Sequence, residues 1–82
     1  MSVLPAQLEW KRFVCVLRKL GYVPQKGKGG SARVFVNPER NPALVSLREP
    51  HPGYPLGRSA LRQCLQKVGL DPDEFMRLLE DC

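Results

Sequence analysis

Between Glu49 and Leu56 the chain carries three prolines, Pro50, Pro52 and Pro55, together with Gly53. Proline lacks a backbone N–H and fixes φ near −65°, so this stretch forms neither helix interior nor central strand. It is a stiff loop, and the regular elements must lie on either side of it. Ahead of it, residues 5–20 place Leu8, Phe13, Val14, Leu17 and Leu20 at helical spacing. Pro5 suits a first helical turn, Arg18 and Lys19 complement the dipole at the last, and Gly21 is a stop. Trp10, Lys11 and Arg12 are expected on or near the exposed face of this helix.

Three short runs follow. Residues 22–26 predict a strand that Pro24 confines to a sheet edge or a bulge. Residues 32–36 predict a stronger strand, ended by Asn37 and Pro38, and residues 43–48 a third. The short turns between them imply an antiparallel meander. Beyond the proline loop, residues 58–68 predict a helix with Leu61, Cys64, Leu65 and Val68 on one face, ended by Gly69. Residues 71–80 predict a short third helix, with Asp71 as N-cap, Pro72 at the first position and Glu74 three residues after the cap. Phe75, Leu78 and Leu79 give it an apolar face. The sum is one α+β domain over residues 1–82, both main helices on one face of the sheet.

Charge is distributed unevenly. Residues 1–70 hold twelve Lys/Arg against three acids, a balance of +9, and residues 71–82 hold Arg77 against five acids, a balance of −4. A body this basic suits a polyanion, and nucleic acid is the commonest soluble one. The three cysteines cannot form a complete disulfide framework. Cys15 and Cys64 read as small buried hydrophobes in a reducing compartment, and Cys82 as a free thiol. No apolar run reaches membrane-span length, and Glu9, Lys11 and Arg12 interrupt any signal-peptide pattern, so the expectation is a cytoplasmic protein with no membrane partner.

Three constellations carry chemistry. The first is the glycine-rich basic turn from Lys26 through Lys28 and Gly30 to Ser31, where glycine lets the backbone approach a phosphate and successive N–H groups make an anion-holding concavity. The alternative is a plain hairpin loop. The second is the run of cations Arg33, Arg48, Arg58, Arg62 and Lys67. Arg58 and Arg62 share a helix face, and Arg33 and Arg48 come to the same sheet end if their strands are antiparallel neighbours. A merely solvated surface is the alternative for any one of them. The third is His51, held between Pro50 and Pro52; histidine exchanges protons near neutrality and serves as general acid or base. The alternative is an exposed loop residue without a role. One histidine and three scattered cysteines offer no zinc constellation, and no cofactor is expected.

Four blocks in order resemble the HicA (YcfA-type) toxin family: Leu17 to Tyr22, Gly30 to Phe35, Glu49 to Pro52, and Leu61 to Leu70. The second resembles that family's G-S-H-x-x-F block and the third its proline–histidine strand end. The resemblance implies a double-stranded-RNA-binding-like α-β-β-β-α fold, here with a short extra C-terminal helix. It implies a metal-independent ribonuclease that acts on messenger RNA and arrests translation, the toxin of a type II toxin–antitoxin pair, with a HicB-type antitoxin as partner. It also places the family's catalytic histidine at Ala32, and alanine transfers no proton. Three explanations stand open: an engineered replacement, a natural branch that catalyses with other residues, and a non-cleaving RNA binder. In the second, His51 is the acid/base, and Lys26, Lys28, Gly30, Ser31, Arg33, Arg48, Arg58 and Arg62 contact RNA. Two other classes remain beside the toxin: a small RNA-binding module that never cleaves, and a protein-interaction domain whose basic surface meets an acidic partner.

Overall fold

The computed structural model of the protein describes residues 4–25, 32–51 and 53–82. Its elements are β1 (Gln7–Leu8), α1 (Trp10–Lys19), β2 (Val23–Gln25), β3 (Ala32–Val36), β4 (Leu44–Arg48), β5 (Leu56–Gly57), α2 (Arg58–Val68) and α3 (Pro72–Leu79). This is a small α+β domain with antiparallel sheets.

The strands β2, β3 and β4 pair antiparallel in that order, with Val23 opposite Val36, Phe35 opposite Val45, and Ala32 opposite Arg48. Side chains alternate across a strand. Phe35, Val45 and Leu47 therefore point inward, while Val34, Val36, Leu44 and Ser46 lie on the opposite face. The inward row joins Phe13, Val16 and Leu17 of α1, Leu61, Leu65 and Val68 of α2, and Phe75 and Leu79 of α3 in one core. Pro24 sits in the edge strand β2, where its missing N–H costs no ladder bond.

Turn chemistry fixes the joints. Gly21, at φ +99°, ends α1, and the Tyr22 N–H reaches back 3.0 Å to the Leu17 carbonyl. Asn37 is the buried polar residue at the end of β3. Its Nδ2 donates to the Leu20 carbonyl at 2.9 Å, and its Oδ1 accepts from the Glu39 N–H at 3.1 Å. One side chain thus ties the β3–β4 turn to the end of α1, with its polar atoms satisfied. Asp71 caps α3 through the Asp73 N–H, and Pro72 occupies the first turn, as its sequence predicts.

Three expectations are corrected. The first helix begins at Trp10, because Gln7 and Leu8 form an antiparallel pair with Gly57 and Leu56. Leu8 is still buried, but from a strand, and Pro5 lies outside the helix. Pairing with a segment some fifty residues away overrides local periodicity, and it also turns the last residues of the proline loop into β5. Of the trio expected near the exposed face, Lys11 is exposed, but Trp10 packs on Phe13 and Phe35 with ring centroids 5.6 and 6.3 Å away. Arg12 is half-buried, its Nε donating to the Cys82 carbonyl at 3.1 Å.

The third concerns sulfur. Cys15 and Cys82 form a disulfide across a sequence separation of 67, joining α1 to the chain's last residue. Cys82 is not a free thiol, and the inference of a reducing compartment from cysteine usage falls with it. Cys64 is free and buried. Among the described residues, no helix is long and apolar enough to cross a membrane.

Candidate functional site

The antiparallel register of β3 and β4 brings the start of one beside the end of the other, so Arg33 and Arg48 reach the same sheet end. The proline loop leaves that end, and β5 returns the chain to the start of α2. Between them lies a cleft of about 700 Å³. Arg33, Arg48, Glu49 and His51 line it from the sheet and loop, and Ala60, Gln63, Cys64 and Lys67 from α2. Three cations face one carboxylate there, so the cleft favours anions.

Each side chain has its own setting. Arg33 sits opposite Leu47 on the inward side, its Nε 3.2 Å from Glu49 Oε1. Arg48 alternates to the outer face, yet at the strand's end it still lines the cleft. Lys67 lies in the last turn of α2, where positive charge complements the helix dipole. Cys64 lines the cleft from beneath. Burial pushes its thiol above the ordinary value, and the nearby Lys67 ammonium only partly opposes this. A thiol so held is protonated at neutral pH and contributes shape rather than a nucleophile.

His51 is exposed at the cleft's rim. A turn closes on it, the Tyr54 N–H donating to the His51 carbonyl at 2.9 Å, and Gly53 adopts φ +88°, a conformation open to glycine. The Tyr54 ring stands edge-on to the imidazole with centroids 6.3 Å apart. The imidazole makes no hydrogen bond among the described residues and is open to a ligand.

The candidates from sequence do not all converge. Arg33, Arg48 and His51 meet in the cleft. Lys26, Lys28, Gly30 and Ser31 lie outside the described residues. Ala32 is exposed and faces outward beside Val34 and Val36, away from the inward side on which Arg33 lies. Arg58 and Arg62 do share a helix face, and it is turned away from the cleft. At about 100° per residue they stand roughly 150–170° around α2 from the arc of Ala60, Gln63, Cys64 and Lys67. Arg58 instead ties down the N-terminal segment, its Nε 3.0 Å from the Leu4 carbonyl. Lys67, noted in the basic run, takes their place in the cleft, and Gln63 was missed altogether. A helical projection of α2 contains both, once the sheet is known to lie against that flank.

Among the described residues, no group of three or more His, Cys, Asp or Glu side chains is placed to hold a metal ion. No protein-family model, no curated protein and no solved structure matches the chain.

Proposed function

We propose that this domain binds RNA in the cleft between β4, the proline loop and α2, and cleaves messenger RNA there in the manner of the HicA-type toxins its sequence resembles. The carrying observation is that Arg33, Arg48 and Lys67 line one concavity with the chain's single histidine at its rim. The run of α1, the three antiparallel strands β2–β4 and α2, with α3 trailing, supports the double-stranded-RNA-binding-like arrangement, to which the β1–β5 pair is an addition.

The chemistry follows from the groups present. Arg48 and Lys67 hold phosphate oxygens, with Arg33 contributing through its exposed part. The ribose 2′-oxygen attacks the adjacent phosphorus and the bond from phosphorus to the 5′-oxygen breaks. His51 takes the 2′-OH proton, and the departing 5′-oxygen takes one from water. The products end in a cyclic phosphate and a 5′-hydroxyl. The 2′-OH requirement separates RNA from DNA. A HicB-type antitoxin would silence the domain by covering this cleft.

Ala32 favours a second reading, in which RNA is bound and not cut, because the family's usual acid/base position holds a methyl group. One experiment separates the two. Purified protein is incubated with single-stranded RNA beside His51→Ala and Ala32→His variants. Cyclic-phosphate products from the parent, lost in His51→Ala, support cleavage by His51. Products unchanged in that variant remove His51 from the mechanism. Binding without products by the parent supports the second reading, and cleavage gained by Ala32→His would put the cut on the outer sheet face, where Ala32 lies, and not in the cleft. No binding by any of the three refutes both.

A further inference from the structure

The loop that carries His51 has a second hollow on its other side. Residues 7–11 meet Gly53, Tyr54 and Pro55 around a concavity of about 670 Å³, and His51 lines both this hollow and the cationic cleft. The two differ in chemistry. Three cations and Glu49 line the cleft, whereas Trp10 and Tyr54 line the hollow; of the charges around the hollow, Glu9 and Lys11 pair with each other at 3.6 Å and Glu49 pairs with Arg33 at 3.2 Å.

Neither aromatic is explained fully by folding. Tyr54 is 69% exposed on a proline loop and takes no part in the core. Trp10 rests one part of its indole on Phe13 and Phe35 yet remains half-exposed, with the remainder lining the hollow. Single-stranded RNA presents the matching alternation of charged phosphates and flat bases, and such bases stack on aromatic side chains.

We propose that this hollow is a nucleobase subsite. A base unstacked from single-stranded RNA lies against Trp10 and Tyr54, the adjoining phosphates lie in the cationic cleft, and the strand crosses the ridge between them at His51. The inference rests on the RNA reading above and adds the form of the substrate. Bases in a duplex are stacked and paired, so they do not reach the rings.

Trp10 is the chain's single tryptophan, so its fluorescence reports on the hollow. The probe is a short unstructured RNA, 2′-O-methylated so that it cannot be cut, with a duplex of the same sequence as comparison. Anisotropy of the labelled strand and tryptophan quenching are followed in one titration. Both should saturate together with the single strand, and the duplex should bind without quenching. Tyr54→Ala should weaken single-strand binding by about 5- to 150-fold, the range for loss of one base–aromatic stack, while leaving the salt dependence unchanged. Tyr54→Phe should bind like the parent. Because Tyr54 is exposed, these substitutions leave the core intact. Single-strand binding with no quenching, with Tyr54→Ala unaffected, or with equal quenching by the duplex overturns the subsite and leaves the RNA reading standing. No binding of either RNA overturns both.

Discussion

Replacing Cys82 by Ser removes the bond between α1 and the end of the chain. Its weight follows from the length of chain it closes in the unfolded state. For the separation of 67 between Cys15 and Cys82, the chain-entropy relation gives about 4 kcal/mol, and disulfides typically contribute about 2–4 kcal/mol. Several contacts across the same seam outlast the bond. Phe13 and Phe75 pack with tilted rings, centroids 6.0 Å apart, Arg12 holds the Cys82 carbonyl, and Lys19 pairs with Asp81 at 3.4 Å. The Cys82→Ser domain therefore stays folded in water but sits closer to its limit. For a small domain with a urea slope of about 1–1.5 kcal/mol per molar, a loss of about 2–4 kcal/mol should lower the unfolding midpoint by about 1.3–4 M. The assay is urea unfolding followed by circular dichroism for the oxidised parent, the reduced parent and the variant, after counting thiols in the denatured, unreduced protein. The reasoning predicts one free thiol and coincident curves for the reduced parent and the variant. Three free thiols, or a midpoint that ignores reductant, would refute it. The cleft lies apart from this bond, so RNA affinity should survive reduction.

Further outcomes follow from the core and the cleft. Phe75→Ala empties a fully buried site against Phe13 and should lower unfolding free energy by about 3–5 kcal/mol; a loss under about 1 kcal/mol would contradict that packing. With Cys15 and Cys82 bonded, Cys64 is the single thiol, and because burial raises its pKa it should alkylate far more slowly than free cysteine at neutral pH. The folded chain then keeps a proton that the unfolded chain releases, so this group's contribution to stability is complete below the unfolded thiol's pKa and disappears as pH rises through the folded one. Labelling at the rate of free cysteine at neutral pH would refute its burial. Glu49→Gln removes the carboxylate that faces Arg33, so RNA affinity should rise several-fold while stability changes by less than about 1 kcal/mol, because the pair is partly exposed. Unchanged affinity would mean that Arg33 does not face the bound strand.

Local rules read the chain well wherever the cause is local. The second helix, the strand from Ala32 to Val36 and the Asp71 cap follow from spacing, β-branched content and capping chemistry, and all three occur as expected. Where sequence and structure differ, the cause is a distant partner. Leu8 fits a helical period and a strand equally well, and pairing with Leu56 decides between them. Cys15 has an apolar-face position and gives no sign of Cys82, because α3 must first fold back along α1. An odd cysteine count rules out a full set of bridges but allows one. The site divides in the same way. Arg33, Arg48 and His51 were legible because strand alternation and the proline loop fix them to one sheet end. Arg58 and Arg62 share a face, as helix periodicity requires, but periodicity groups residues by face without saying which flank meets the sheet. Trp10 and Tyr54 passed unnoticed as a pair because the β1–β5 contact that brings their segments together is non-local.

The central claim is that the cleft, and not basic charge in general, receives RNA. It is tested by the slope of log affinity against log salt for single-stranded RNA, comparing an Arg48→Ala/Lys67→Ala double variant with an Arg62→Ala/Arg77→Ala double variant of equal net charge. Each lost phosphate contact on a single strand lowers the slope by about 0.7, so the cleft variant should lose about 1.4 and the other close to nothing. Equal losses in the two variants, or a parent that binds no RNA, would contradict the account.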